Sequence, residues 1–249
     1  MQLQVNIHRK SFRSFEKHGQ VTVLENVCFS VNSGEFLCIF GPSGCGKTTL
    51  LNLIAGLDSD FEGTVSLNGS TSGGREPKTG YVFQNPRLLP WRTVEENLRL
   101  VLSPEQIESG IIDKLLASTE LGAFRNTYPP QLSVGMQRRV ALVRAFSIQP
   151  DLLVMDEPFV SLDKPMADTL RQVLLDYWQS RSPTVLFVTH HLSEALQLAS
   201  RLLVFSSRPG TLAVDVPIVL PRGERTTPEA ISTLVAQLTR EHPQVAHML

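Results

Sequence analysis

The run GPSGCGKTT, Gly41 to Thr49, gathers three glycines, a lysine and two threonines within nine residues. It matches the pattern G-x-x-x-x-G-K-[ST], follows an apolar run from Glu35 to Phe40 and leads into LLNLIAGL. Strand, loop and helix therefore stand in the order that a phosphate cradle needs. Gly41, Gly44 and Gly46 free the backbone to turn its N–H groups around phosphate oxygens, and the start of the helix adds its positive end. Lys47 is expected to reach the β- and γ-phosphates of a nucleotide, and Thr48 to offer its hydroxyl to Mg2+. Pro42, Ser43, Cys45 and Thr49 complete the loop. Cys45 has two readings, a thiol whose pKa is lowered beside a helix N-terminus or a small packing residue.

Further along, LLVMDE at 152–157 is an apolar run that delivers two adjacent carboxylates at its end. Open α/β sheets bind ligands at that end of their strands. Neighbouring side chains point apart, so Asp156 is expected to serve Mg2+ through water, while Glu157 faces the γ-phosphate and polarises the attacking water. A solvated strand end is the alternative for such a pair taken alone; the cradle upstream tips the balance. VLFVT ends at His190 and His191, and His190 could hydrogen-bond the γ-phosphate, although a histidine at a strand end is more often structural.

Short apolar runs alternate with helical patterns, which is the signature of an α/β chain. Strands are expected at 3–7, 21–31, 35–40, 64–67, 80–83, 152–155, 185–189, 202–205 and 211–216. Those at 36–40, 152–155 and 185–188 are apolar throughout and read as central parallel strands, whereas the early ones alternate like a one-sided antiparallel sheet. Helical signals dominate between Gln84 and residue 152. Ser103, Pro104 and Gln106 form a capping-box start, with Ile107, Ile111, Leu115 and Leu116 following on one face. Met166, Leu170, Val173, Leu174, Tyr177 and Trp178 make another apolar stripe. Thr227 and Pro228 begin a helix with Ile231, Leu234, Val235 and Leu238 inward. Residues 69–80 read as a loop.

The 249 residues carry 23 basic and 24 acidic side chains, a balance that argues against a nucleic-acid partner. A hydrophobic share of 42% supports a large buried core. Charged residues, at 19%, are sparse enough to suggest surface covered by a partner. No apolar stretch is long enough to span a bilayer and the first ten residues do not look like a secretory signal, so a cytosolic chain is expected. The three cysteines, Cys28, Cys38 and Cys45, have neither disulfide nor zinc spacing.

Taken together, these motifs resemble the nucleotide-binding subunit of an ABC transporter, and their order covers almost the whole chain. In YVFQ, Gln84 matches the family's Q-loop glutamine, which implies contact with Mg2+ and the lytic water. LSVGMQRR, at 132–139, is similar to the LSGGQ signature, SLD at 161–163 to the D-loop, and His190 in VTHH to the switch histidine. Lys47 to Gln84 spans 37 residues, Gln84 to Ser133 spans 49 and Ser133 to Asp156 spans 23, in family order. Phe12 in RKSF, or its competitor Phe15, would stack on adenine; either could instead be packing. Val134 stands where the signature has a glycine, which would be strained only at positive φ. Met136 replaces the signature glutamine, and His191 the usual aspartate.

The resemblance implies a P-loop NTPase of ABC type. Its expected parts are a mixed, mostly parallel core sheet with an antiparallel β subdomain (1–84 and 151–220), a helical subdomain carrying the signature (85–150) and a helical tail (221–249), in one ATPase domain. It implies ATP and Mg2+, catalytic roles for Glu157, His190, Gln84 and Lys47, and a head-to-tail dimer in which Ser133 and the Gly135 N–H cover ATP held by the partner. Transmembrane permeases and, indirectly, a solute-binding protein are implied too, with the chain peripheral on the cytoplasmic face of the inner membrane. Leu89-Pro90-Trp91 and SSRPG at 206–210 are similar to importers of nitrate, sulfonate and taurine. Trp91 reads either as core or as a docking contact. Too few residues follow 205 for a large regulatory domain. Two alternatives stay open: an ATPase for another small solute, and a soluble ATPase of the superfamily. A non-hydrolysing module would lack Glu157 or Lys47, which are both present.

Overall fold

The computed structural model describes residues 2–14, 19–68, 76–160 and 162–246. The chain divides into two compact units, Met1–Glu76 with Thr184–Leu249, and Pro77–Pro183. Among the described residues the strands are β1 (Gln2–Ser14), β2 (Gly19–Asn32), β3 (Phe36–Phe40), β4 (Glu62–Asn68), β5 (Thr79–Val82), β6 (Leu152–Asp156), β7 (Thr184–Thr189), β8 (Arg201–Phe205) and β9 (Leu212–Pro217). The α-helices are α1 (Lys47–Ile54), α2 (Val94–Arg99), α3 (Pro104–Glu108), α4 (Ile111–Ser118), α5 (Val134–Ser147), α6 (Lys164–Arg181), α7 (Leu192–Leu198), α8 (Pro228–Glu241) and α9 (Pro243–Ala246). None of the described helices is long and apolar enough to cross a membrane.

In the first unit β1 lies between β2 and β4, antiparallel to both. Leu3, Val5 and Ile7 are buried while the residues between them face solvent, the one-sided alternation expected of such a sheet. β1 runs on to Ser14, well past the expected end at Ile7. Lys10 explains the extension. Its stem is buried and its ammonium donates to Asp58 Oδ1 at 3.1 Å and the Asp60 carbonyl at 2.5 Å, so a charged residue occupies an inward position because its charge is satisfied there. The wholly buried β3 is central: β7 and β8 flank it in parallel, and β9 adds an antiparallel edge to β8. α7 packs on β3 and β7, and α8 on α7. Thr227 caps α8 by accepting from the Ala230 N–H at 3.2 Å, and Ile231 and Leu238 are buried as the periodicity requires.

Among the described residues, the second unit contains the parallel pair β5 and β6 and the α-helices α2 to α6. Val94 and Leu98 of α2 join Ile112 and Leu116 of α4, Val140 and Val143 of α5, and Leu121 and Leu132 in one apolar cluster. Ser103 and Gln106 close the expected capping box. The single helix expected beyond it is in fact two, because Gly110 takes φ 70° between α3 and α4, a left-handed conformation that glycine adopts without penalty. On α6, Ala167, Leu170 and Leu174 are buried, with Met166, Val173, Tyr177 and Trp178 half-buried beside them.

Candidate functional site

The site residues fall into two groups, one in each unit. In the first, β3 and β7 are parallel neighbours with Phe40 paired to Thr189, so the glycine loop and His190 leave the sheet at the same edge. The loop reaches α1 through Gly44 at φ 78° and Gly46 at φ 107°. Gly46 is needed twice over, because a Cβ there would also sit 2.8 Å from Leu24 Cδ2 and 2.9 Å from Val23 Cγ1 on β2. Gly41, by contrast, is required for space: a Cβ would stand 2.9 Å from the Phe205 carbonyl. No side chain caps α1 at Gly46, and the first N–H groups of a helix have no partner within it. Lys47, Thr48 and Thr49 thus begin α1 as a set of donors suited to an anion.

Lys47 is buried, and its ammonium donates to the loop's own carbonyls, Gly41 at 2.7 Å and Pro42 at 2.9 Å. Those bonds hold a cation inside the cradle. Thr48 and Ser43 are exposed. Cys45 is buried, and burial pushes its thiol pKa up, opposed in part by Lys47. Of the two readings, the lowered pKa is overturned and packing stands: desolvation outweighs the helix N-terminus. His190 is half-buried, its ring centroid 4.0 Å from that of His191. The turn after β7 is set by Thr189, whose hydroxyl donates to Glu194 Oε2 at 2.8 Å and accepts from the His191 N–H at 3.0 Å. Phe12 is 44% exposed on β1, with the Lys10 ammonium 4.6 Å from its ring centroid. Its partner across the sheet is Val21 on β2, the strand that also touches Gly46. Phe15 and Ser161 lie outside the described residues, as do residues 69–75 of the expected loop.

In the second unit β5 and β6 run parallel with Val82 beside Met155, so Gln84 and the acidic pair emerge together. Gln84 Nε2 donates to Glu157 Oε2 at 3.4 Å. Asp156 is buried; the Tyr81 phenol is pushed well above its usual pKa by burial and by this carboxylate. Glu157 sits at φ 45°, an uncommon conformation for a residue with a Cβ, and one that aims it differently from Asp156. The signature opens α5. Ser133 caps the helix by accepting from the Met136 N–H at 3.2 Å, which leaves its hydroxyl proton to donate. Val134, 58% exposed, is the first helical residue and is not among those with positive φ, so its branched side chain is unstrained. Gly135 is buried against Met166, where a Cβ would meet Cγ at 3.1 Å. Asp163 caps α6 by accepting from the Met166 N–H at 2.9 Å.

Three residues here escape sequence reasoning. Arg138, in the signature's tail, donates to the Pro158 carbonyl at 3.0 Å and so ties α5 to the exit of β6. Arg144 donates to the carbonyls of Pro86 and Arg87 at 3.0 Å each. Asn97, fully buried, accepts from the Leu89 N–H at 2.8 Å and shares its two amide N–H bonds among the carbonyls of Leu89, Arg92 and Thr93, at 3.2, 3.0 and 2.9 Å. With the Thr93–Glu96 capping box, it holds the Leu-Pro-Trp turn in shape. Trp91, 69% exposed, points outward, so it is not core.

Comparison with known proteins bears on the family and the fold. The ABC transporter family matches residues 24–160. The aliphatic sulfonates import ATP-binding protein SsuB of Bacillus licheniformis is 38% identical over 244 residues, 97% of this chain and 94% of that protein. Its counterpart in Bacillus subtilis is 40% identical over 233 residues, covering 92% and 90%. Among solved structures, the ATP-binding cassette MJ0796, a dimer in a post-hydrolysis state bound to ADP and Pi, aligns with a TM-score of 0.75 at 29% identity, covering 89% of this chain and all of that one.

Proposed function

Because the chain belongs to the ABC transporter family, we propose that this ATPase is the subunit of an importer that drives uptake of a small anion or organic sulfonate through partner permeases. The glycine loop that holds Lys47 at the head of α1 carries the nucleotide part of this reading. The solute follows from the sulfonate importers that it is similar to along nearly its whole length. Residues Gly41–Thr49 wrap the phosphates, Lys47 exchanges its carbonyl partners for β- and γ-oxygens, and Phe12 stacks on adenine. Thr48, Gln84 and Asp156 offer hydroxyl, amide and carboxylate oxygens, the hard donors that fit Mg2+; bound there, the ion would neutralise phosphate charge. Glu157 takes a proton from the water whose oxygen attacks the γ-phosphorus as the bond to the bridging β–γ oxygen breaks. His190 hydrogen-bonds the γ-phosphate and registers its departure.

The second half of the pocket is supplied by a second copy, met head to tail, whose Ser133 hydroxyl and Gly135 N–H cover the γ-phosphate. ATP then binds the closed pair better than the open pair, and its hydrolysis removes that difference, so the cycle does work on an attached permease. Trp91 belongs to the face that meets the permease at the cytoplasmic side of the inner membrane, and a solute-binding protein delivers cargo from the other side. Glu157→Gln is expected to abolish ATP turnover and leave an ATP-dependent dimer on size-exclusion chromatography. Full turnover in that variant would remove Glu157 from its role. For the solute, the complex purified with its permease should show ATP turnover raised by an alkanesulfonate; stimulation by an unrelated solute alone would overturn the assignment.

A further inference from the structure

We propose that Arg208 is a positioning residue of the phosphate loop, holding the Gly44–Cys45 peptide in the orientation that nucleotide binding needs. The proposal deepens the nucleotide-binding reading above and rests on it. Arg208 lies in the turn between β8 and β9, more than 150 residues from the loop in sequence, yet its Nη2 and Nε donate to the Gly44 carbonyl at 2.9 and 3.2 Å. Nothing in the phosphate-binding motif calls for it.

The turn is built to deliver that side chain. Ser206 Oγ accepts from the Thr211 N–H at 3.0 Å and lies 2.9 Å from Thr211 Oγ1, closing the turn on itself. Gly210 then fastens it to β2: its N–H donates to the Val23 carbonyl at 2.8 Å and its carbonyl accepts from the Glu25 N–H at 3.1 Å. The approach to the loop is so close that a Cβ on Gly210 would fall 2.2 Å from the Cys45 carbonyl. β2, the turn and the loop therefore form one buttressed assembly, and Arg208 is its contact with the loop's exposed side.

The consequence for the loop follows from peptide geometry. A trans peptide sets its C=O and N–H on opposite sides. With the Gly44 C=O drawn outward to the guanidinium, the Cys45 N–H must point across the loop, where it reaches the Pro42 carbonyl at 3.3 Å. Losing Arg208 frees this peptide to rotate, so a bound phosphate would have to order it. The guanidinium also brings a positive charge to the loop: with Lys47, it counteracts the rise that burial imposes on the Cys45 thiol. Lysine retains the charge but not the forked pair of donors, and so should restore only part of the effect.

The test is equilibrium binding of a fluorescent ATP analogue to the full chain, with steady-state ATP turnover and thermal unfolding of the ligand-free protein measured on the same preparations. Because Arg208 is exposed, the expected loss is moderate: Arg208→Ala should raise Kd and KM about five- to tenfold, with kcat within about twofold and Tm within about 2 °C. Arg208→Lys should recover part of that affinity. Arg208→Glu, which repels both the carbonyl and the triphosphate, should lose more than the alanine variant and repeats the test if alanine unfolds. Lys47→Ala, run in parallel, separates the two levels of the argument. If Arg208→Ala and Arg208→Glu bind like the native chain while Lys47→Ala does not, the proposal is overturned. If Lys47→Ala also binds normally, it is the underlying reading of the phosphate loop that fails.

Discussion

Replacing Asn97 by alanine tests how the Leu-Pro-Trp turn is held. The Asn97 amide oxygen accepts from the Leu89 N–H and its two N–H bonds are shared among three carbonyls. Those of Leu89 and Thr93 also accept from the Arg92 and Asn97 backbone N–H groups, so alanine chiefly removes the partners of the Leu89 N–H and the Arg92 carbonyl. The lost hydrogen bonds contribute about 0.5–1.5 kcal/mol each, and the partly buried groups can regain some hydration. A net cost of about 1–3 kcal/mol follows, which for a chain of this length lowers Tm by roughly 2–12 °C. Asn97→Asp should be no better: a carboxylate can still accept from Leu89, but it faces three carbonyl oxygens with nothing to donate. Scanning calorimetry reads the stability, and solute-stimulated turnover in the permease complex reads the docking of Trp91. Affinity for ATP should be unchanged, because the hydrogen bonds of Asn97 go to the Leu89–Thr93 turn. A Tm loss under 1 °C, or a fall in ATP affinity as large as the fall in stimulated turnover, would refute the assignment of Asn97 as the clamp of this turn.

Other outcomes follow from the same structure. Since Val134 begins α5 without a positive φ, Val134→Gly should alter turnover by less than about threefold; a hundredfold gain, ~3 kcal/mol of barrier, would show that the native signature is impaired. Glu95 is held at about 2, chiefly by its hydrogen bond from Arg125 and further by Arg99. A folded value below the unfolded one means that this stabilisation is complete above about pH 4.5 and is lost as pH falls towards 2, so Glu95→Gln should flatten the pH dependence of urea unfolding in that window and leave its slope above pH 6 unchanged. Of the three thiols, exposed Cys28 should be alkylated first at pH 8, whereas Cys38 and Cys45, buried and with raised pKa values, should react only on unfolding; early labelling of Cys45 would contradict its packing.

What the sequence reveals is what its local chemistry demands. The expected strands appear because continuous or alternating apolar runs leave few other ways to bury them, and Thr227 and Ser103 mark helix starts because their hydroxyls serve the first turn. The loop from Gly41 to Thr49 is legible for the same reason: its glycines, lysine and hydroxyls are adjacent in the chain. What escapes is long-range. The Gln84–Glu157 contact joins residues 73 apart, Arg208 reaches Gly44 across 164, and neither leaves a periodic trace. Lys10 misleads in another way, since a lysine in a strand reads as solvent-facing until the partners that neutralise it, Asp58 and Asp60, are located. Asn97 sits among polar neighbours where nothing distinguishes a buried amide from an exposed one.

The left-handed backbone at Glu157 sets two demands against each other at a single position. Glycine would relax that conformation at once, by ~1 kcal/mol, and so the replacement most congenial to the peptide is the one that removes the carboxylate. Selection for an easily folded chain would drift towards glycine there, whereas the proposed role of Glu157 in turnover requires the acid despite its awkward seat. If Glu157 has the role proposed above, a glutamate at this point in a related sequence signals retained turnover, and a glycine marks a copy that has given up chemistry for comfort.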